Sequence, residues 1–165
     1  MSLTLGVLSI QGDVLENVLA VKAAIDSLDI DGTVNSVRTP DEISKVDGLI
    51  IPGGESTTIG QLSIANGALK ILKEKIEQGM PVLGICAGMI MLSKNAQDKV
   101  VGNIDQPLLD ILDIKLERNS FGRQRESFES DKVKEAQKMI DERQSIHGLD
   151  VKTLDLRMQD RGGSA

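Results

Sequence analysis

Cys86 is the side chain of this sequence that is best suited to nucleophilic chemistry. It lies in the run Gly-Ile-Cys-Ala-Gly over residues 84–88, a version of the nucleophile elbow, in which a sharp strand-to-helix turn exposes the reactive atom. Such a turn requires small neighbours, and a helix that begins after Cys86 would favour the thiolate and offer the Ala87 amide to an oxyanion. The alternative is a buried structural cysteine beside two unrelated glycines. The strand pattern before Cys86 and the helix pattern after it favour the nucleophile.

A second turn that could face a ligand is Pro-Gly-Gly-Glu-Ser-Thr over residues 52–57. Its two glycines allow backbone N–H groups to approach a ligand closely, as an oxyanion hole requires. A glycine pair after a strand is also common in ordinary tight turns. The run lacks the lysine of a phosphate-binding loop, which argues against nucleotide binding.

Strands and helices alternate along the first hundred residues, and this alternation positions both turns. Apolar runs predict strands over residues 3–10, 32–37, 46–51 and 81–85. Apolar stripes predict a helix over residues 14–28, capped by Asp13, and a helix over 87–93. A helical turn is predicted at 39–42. Between these lies one predicted helix that ends at Gly79, with an apolar stripe of Ala65, Leu69, Leu72 and Ile76. The pattern favours an α/β fold with a doubly wound, mostly parallel, flavodoxin-like sheet flanked by helices.

The strand ends of such a sheet lie on one side, where ligands bind. We therefore expect Gln11, the glycine turn and Cys86 to surround one crevice. Residues 111–117 predict another strand, and 131–144 a highly charged helix with little apolar face. The length predicts a single domain over residues 1–165, in which 131–165 differ in character from 1–130.

Composition narrows the classes of partner. There are 19 basic residues against 25 acidic ones, a net charge of −6, and the two signs are interleaved, so nucleic acid is disfavoured. No apolar run approaches the roughly 18 residues of a membrane span, and the first residues lack a signal-peptide pattern, so we expect a cytoplasmic protein without a membrane partner. One cysteine excludes an intrachain disulfide and a multi-cysteine metal site. No metal and no cofactor are expected.

Four motifs together resemble a known family. They are Gly-Val-Leu-Ser-Ile-Gln-Gly at 6–12, the turn at 52–57, the elbow at 84–88 and Arg-Asn-Ser-Phe-Gly-Arg-Gln at 118–124. The combination is similar to the glutaminase subunits of pyridoxal 5′-phosphate synthases, which are class I (triad) glutamine amidotransferases. The second and fourth motifs are the most specific. The resemblance covers residues 3–130.

The resemblance implies an enzyme that hydrolyses L-glutamine and passes ammonia to the synthase subunit, its hetero-oligomeric partner. Cys86 would form a glutamyl thioester, with Gly54 and Ala87 as the oxyanion hole. The family's pattern also implies glutamine binding by Gly54, Glu55, Ser56 and Arg118, whose guanidinium suits a carboxylate, and a place for Gln11 at the interface with the synthase.

One departure from the family concerns the catalytic base. Family members carry a late His-x-Glu, whereas the only histidine here, His147, is followed by Gly148 and Leu149. We expect the tail from 131 to come from a truncated, frameshifted or otherwise altered gene. A second hypothesis is therefore a catalytically impaired binding protein that keeps the glutamine pocket. A third hypothesis is a chaperone-like or glyoxalase-like protein with a cysteine elbow. Those proteins lack the motif at 118–124, so this hypothesis ranks last.

Overall fold

A four-stranded parallel sheet forms the centre of the protein, in a computed structural model that describes residues 2–98, 102–103 and 105–118. Its strands are β1 (Leu3–Leu8), β2 (Gly32–Val37), β3 (Gly48–Ile51) and β4 (Val82–Gly84). All four residues of β3 are buried, as expected for a parallel strand that is covered on both faces.

Five helices connect and cover these strands in the described part of the chain. They are α1 (Val14–Ser27), α2 (Pro40–Ile43), α3 (Ser56–Ala65), α4 (Ala68–Glu77) and α5 (Ala87–Leu92). Helix α1 packs on β1 and β2, while α5 packs on β3 and β4. The strand order is β2-β1-β3-β4, so the chain reverses its direction of growth between β1 and β3. This arrangement confirms the predicted doubly wound α/β fold, and ligands bind such sheets at the reversal point.

A second sheet follows α5 and carries Arg118. It contains β5 (Ser93–Asp98), β6 (Gly102–Asn103) and β7 (Leu112–Arg118) in the order β6-β5-β7. Strand β7 confirms the prediction for residues 111–117, whereas β5 and β6 were not predicted. The predicted helix over 87–93 is one residue too long, because Ser93 already begins β5.

The core contains aliphatic side chains and methionines, as a sequence with only two aromatic residues, both phenylalanines, predicts. Its buried members are Leu8, Ile10, Val37, Ile43, Val46, Leu49, Ile51, Ile59, Ala68, Leu72, Met80, Ala87, Met91, Leu92 and Leu109. Ala87, Met91 and Leu92 in this set come from α5, so the helix that follows Cys86 is anchored in the core.

One sequence prediction about helices is wrong, and a second holds only for the position of the residue. The stripe that begins at Ala65 belongs to two helices, because Gly67 adopts φ +78° between α3 and α4 and breaks the helix there. Asp13 occupies the N-cap position of α1, but its side chain makes no capping hydrogen bond. Instead, its amide donates to the Gly53 carbonyl at 3.0 Å, which ties the end of the first loop to the glycine turn.

The described residues belong to one compact unit, residues 1–120. The charged helix predicted for 131–144, residues 119–124 of the fourth motif and His147 lie outside the described residues. A single domain over 1–165 therefore stays a prediction. Within the described ranges, no helix is long and apolar enough to cross a membrane.

Candidate active site

Cys86 lies at a sharp turn between β4 and α5. It is the N-cap residue of α5, its backbone adopts φ 49° and ψ −105°, and its side chain is exposed. A positive φ is uncommon for a residue with a side chain and costs free energy that the surrounding structure must supply. This geometry confirms the elbow, and the structure excludes the alternative of a buried structural cysteine.

The glycines on either side of Cys86 are required by close packing. A Cβ atom added to Gly84 would lie 2.6 Å from the carbonyl carbon and oxygen of Gly88. A Cβ atom added to Gly88 would overlap the carbonyl oxygen of Ile51 at the end of β3. The predicted steric requirement for small neighbours is therefore confirmed.

Ala87 is the first residue of α5, so its amide has no acceptor within the helix. The next two amides are already bonded: Gly88 donates to the Ile85 carbonyl at 2.8 Å and Met89 to the Cys86 carbonyl at 3.0 Å. In the first turn of α5, the Ala87 amide is thus the donor nearest in sequence to the sulfur. Its role in an oxyanion hole stays a prediction.

The loops that follow β1, β3 and β4 meet beside Cys86. A Cβ atom added to Gly53 would lie 3.8 Å from Cys86 Cβ, which puts the glycine turn against the elbow. Gly12, at φ +114°, lies so close to the Gly53 carbonyl that an added Cβ would overlap its oxygen. Gln11 Oε1 accepts a hydrogen bond from the Glu55 amide at 2.8 Å. The predicted convergence of these three loops is confirmed, while the ligand crevice between them stays a prediction.

Gly54 is packed against the loop that follows β1. Its added Cβ would lie 2.5 Å from Gln11 Oε1 and 3.0 Å from Gly12 Cα, so only glycine fits here. The Gln11 side chain therefore holds the backbone of this turn against the loop that follows β1. The predicted oxyanion role of Gly54 stays a prediction, as does the interface role of Gln11.

Glu55 and Arg118 form an ion pair beside this turn, with Arg118 Nη2 donating to Glu55 Oε1 at 2.9 Å. Glu55 is also the N-cap of α3, where it accepts from the Thr57 amide at 3.2 Å and from the Thr58 amide and hydroxyl at 2.6 and 2.8 Å. The two carboxylate oxygens thus accept four hydrogen bonds. Glu55 anchors Arg118 to α3, and its predicted contact with a ligand stays a prediction.

Hydrogen bonding keeps Glu55 ionised. Partial burial raises the pKa of its carboxyl, but bonds from the Thr58 amide and hydroxyl, the Thr57 amide and the Arg118 guanidinium outweigh burial. Together they lower the pKa of Glu55 from its ordinary 4.5 to about 2. The N-terminus of α3 favours the same charge.

We predict that Glu55 stabilises the fold in a pH-dependent manner. Because its pKa is lower in the folded state, its contribution is complete above pH 4.5 and is lost as the pH falls towards 2. Glu55→Gln should lower the free energy of unfolding at pH 7 by about 1 kcal/mol, a value discounted for solvent screening because the Glu55 side chain is nearly half exposed. Urea unfolding from pH 7 down to pH 2 should show the difference between the two proteins shrinking below pH 4.5.

Glu74→Gln is the matched control. The Glu74 side chain is 47 % exposed against 45 % for Glu55, and its oxygen lies 3.8 Å from Lys70 Nζ. Removing this surface pair should cost less than about 0.5 kcal/mol. A Glu55 effect that is no larger, or that does not change between pH 4.5 and 2, would contradict the prediction.

Ser56 and Gln106 extend the polar cluster around Arg118. The Ser56 side chain is 2 % exposed and its hydroxyl donates to Gln106 Oε1 at 3.2 Å, so any ligand contact of Ser56 would come from its backbone amide. Arg118 Nη1 donates to the same Gln106 oxygen at 2.8 Å. Sequence reasoning missed Gln106, because a lone glutamine before a proline follows no strand, helix or motif pattern.

The geometry can be compared with known proteins. The sequence profile of the SNO glutamine amidotransferase family matches residues 7–147, which include every predicted site residue. The chain belongs to the SNO glutamine amidotransferase family. The match ends beyond the boundary at 130 that the motifs predicted. Membership in this family confirms the resemblance to glutaminase subunits that the four motifs indicate.

Two curated relatives of this chain share one name. The chain is 65% identical over 130 residues to the pyridoxal 5'-phosphate synthase subunit PdxT of Nitrosopumilus maritimus, with 79% of this chain and 63% of the relative covered. It is 52% identical over 129 residues to the subunit of that name from Staphylothermus marinus, with 78% and 63% covered. The chain thus spans less than two thirds of these relatives' length.

Solved structures agree with the family and the fold. A crystal structure of a glutamine amidotransferase matches with a TM-score of 0.62 and 41% identity, covering 76% of this chain and 62% of that one. A putative peptidase E from Listeria monocytogenes matches at 21% identity with a TM-score of 0.50, which bears on the fold alone.

Proposed function

We propose that this chain is the glutaminase part of a pyridoxal 5′-phosphate synthase, releasing ammonia from L-glutamine for a synthase partner. The observation that carries the proposal is the exposed Cys86 at a positive-φ elbow, beside a glycine turn, in a chain of this family. The names of its relatives support the pathway. The reaction needs Cys86 as a free thiol, which fits a reducing compartment such as the cytoplasm.

The proposed chemistry begins when Cys86 Sγ attacks the side-chain amide carbon of glutamine. A carbon–sulfur bond forms and the oxyanion is held by the amides of Ala87 and Gly54. The carbon–nitrogen bond then breaks, ammonia leaves with the proton that the thiol gave up, and a glutamyl thioester remains. Water attacks the thioester, which releases glutamate and restores the thiol.

The amino-acid end of glutamine would bind near Arg118. The Arg118 side chain is 18% exposed and is held by Glu55, Thr57 and Gln106, so its guanidinium is already ordered before a ligand arrives. An ordered guanidinium loses little entropy when it binds a carboxylate in a bidentate manner. This supports Arg118 as the group that selects an α-amino acid.

An impaired binding protein is the second candidate function. The observation that favours it is the sequence itself, in which the only histidine, His147, is followed by Gly148 and Leu149 instead of a carboxylate two positions on. Such a protein would keep the crevice and bind glutamine without rapid turnover. Hydrolysis measured with the synthase subunit present separates the two functions.

The proposed docking surface for the synthase comprises Leu15 and Leu19 on α1. These leucines lie one helical turn apart and are 66% and 58% exposed, directly after the loop that carries Gln11. The two leucines form an apolar patch on one helix face, and burying such a patch against a partner removes apolar surface from water. Docking here would bring the acceptor subunit to the strand ends that surround Cys86, so that ammonia is not lost to solvent.

We predict that Leu15→Asp combined with Leu19→Asp abolishes co-elution of this chain with the synthase subunit in size-exclusion chromatography with glutamine. Charged residues cannot be buried without a partner, so binding should weaken at least tenfold. Gln11 is a poorer target, because its side chain also holds the Glu55 amide.

Ile64→Asp is the matched control for the docking surface, because Ile64 on α3 is 58% exposed, like Leu19. It should leave co-elution intact. Unaltered co-elution of the double leucine variant would refute this surface, and failure of the unmodified chain to co-elute would count against the partner.

A further inference from the structure

Gln106 lies at the centre of the polar cluster that holds Arg118. It is buried, with 7% of its surface exposed, and its Oε1 accepts hydrogen bonds from Arg118 Nη1 at 2.8 Å, Thr57 Oγ1 at 3.0 Å and Ser56 Oγ at 3.2 Å. We propose that Gln106 is a positioning residue: its neutral oxygen fixes the guanidinium of Arg118 without adding a negative charge beside the place where a ligand carboxylate binds. This inference rests on the proposed function.

The bonds to Gln106 and its neighbours leave part of Arg118 free for a ligand. A guanidinium has five N–H donors. In the described part of the chain, Nη1 donates to Gln106 and Thr57, and Nη2 donates to Glu55. Two donors therefore remain, the number that a bidentate contact with a carboxylate uses. Gln106 restricts the rotation of the guanidinium while leaving these two donors unoccupied.

The neutrality of Gln106 matters because one anion already contacts Arg118. The Glu55 carboxylate accepts hydrogen bonds both from Arg118 and from the amides at the start of α3. Its negative charge therefore offsets only part of the positive charge of the guanidinium. A second carboxylate at position 106 would accept the same hydrogen bonds as the amide oxygen, but it would repel a ligand carboxylate. Replacing Gln106 by glutamate therefore changes the charge at this position while it keeps the hydrogen bonds to Arg118.

Backbone packing fixes the segment that carries Gln106. A Cβ atom added to Gly60 on α3 would lie 2.7 Å from the Pro107 carbonyl oxygen, so the segment packs directly on the helix. The Leu109 amide donates to the Met91 carbonyl at 2.7 Å, which anchors the segment to α5. The backbone next to Gln106 is thus held by two helices, which fixes the position from which its side chain reaches Arg118.

Two substitutions test the proposal. Gln106→Glu keeps the shape and the accepting oxygen, and it loses no hydrogen bond, because Gln106 Nε2 has no partner among the described residues. Gln106→Met keeps the length but removes the acceptor. Gln78→Glu is the charge control: Gln78 is exposed and precedes β4, so it lies at the opposite end of the sheet from the crevice.

The experiment measures alkylation of Cys86 by the chloromethyl ketone analogue of L-glutamine, followed by intact mass against reagent concentration. Iodoacetamide, which has no amino-acid end, reports thiol reactivity alone. In both Gln106 variants the half-saturating concentration of the analogue should rise about 10- to 100-fold, while the limiting rate and the iodoacetamide rate change less than twofold. Gln78→Glu should resemble the unmodified chain.

The outcomes separate this inference from the function on which it rests. If the unmodified chain prefers the L over the D analogue and Gln106→Glu saturates at the same concentration, Gln106 does not act through the charge at Arg118 and the proposal is overturned. If Gln106→Met fails to fold, the result for Gln106→Glu is sufficient to support or overturn the proposal. If the unmodified chain shows no preference for the L analogue, the proposed function fails, and the role of Gln106 with it.

Discussion

A polypeptide of these 165 residues should hydrolyse L-glutamine about 10²–10⁴-fold more slowly than a glutaminase subunit that carries the His-x-Glu pair, because a positioned acid–base group commonly contributes that factor. Cys86 can form the first bond without such a base. However, the leaving ammonia must take up a proton and the attacking water must lose one, and His147 has no carboxylate two positions on. Glutamate release with the synthase subunit present measures this rate.

Two variants make the rate interpretable. Cys86→Ala gives the background, since it removes the only thiol. His147→Ala should leave the slow rate of the chain unchanged. Rapid turnover that His147→Ala abolishes would contradict the prediction and identify His147 as the base.

Sequence patterns predicted those parts of the site whose determinants lie within a few residues of one another. The elbow at Cys86 could be predicted because a strand, two glycines and a helix lie within a few residues of one another in sequence. The convergence of Gln11, the glycine turn and Cys86 followed from one topological rule, that parallel strands bring their ends to the same edge.

The rest of the cluster depends on contacts between distant segments. Gln106 contacts Ser56, from which it is separated by 50 positions in the sequence, and no spacing rule connects them. Strand β5, with the sequence Ser-Lys-Asn-Ala-Gln-Asp, has no strand-like composition and forms through its pairing with β7. The burial of the Ser56 hydroxyl has the same origin, since its acceptor comes from the segment between β6 and β7.

Cys86 should react with an electrophile shaped like glutamine far faster than the intrinsic reactivity of its thiol alone would predict. The exposed elbow presents the sulfur, while Arg118, ordered by three side chains, offers two N–H donors to the carboxylate of the reagent. Loss of a charge-assisted bidentate contact costs on the order of 3 kcal/mol, so the L analogue should react about 100-fold faster than its D enantiomer at low concentration. A chloromethyl ketone needs no proton donor, so this reaction does not depend on a His-x-Glu pair, which these 165 residues do not contain.

The most direct test is the rate at which the chloromethyl ketone analogue of L-glutamine modifies native Cys86, compared with its D enantiomer and with iodoacetamide, and located by peptide mass. We predict saturable, stereoselective modification of Cys86, protected by added L-glutamine. Equal rates for the two enantiomers, no protection by glutamine, or modification only after unfolding would show that Cys86 does not lie in a glutamine site and would contradict the proposed function.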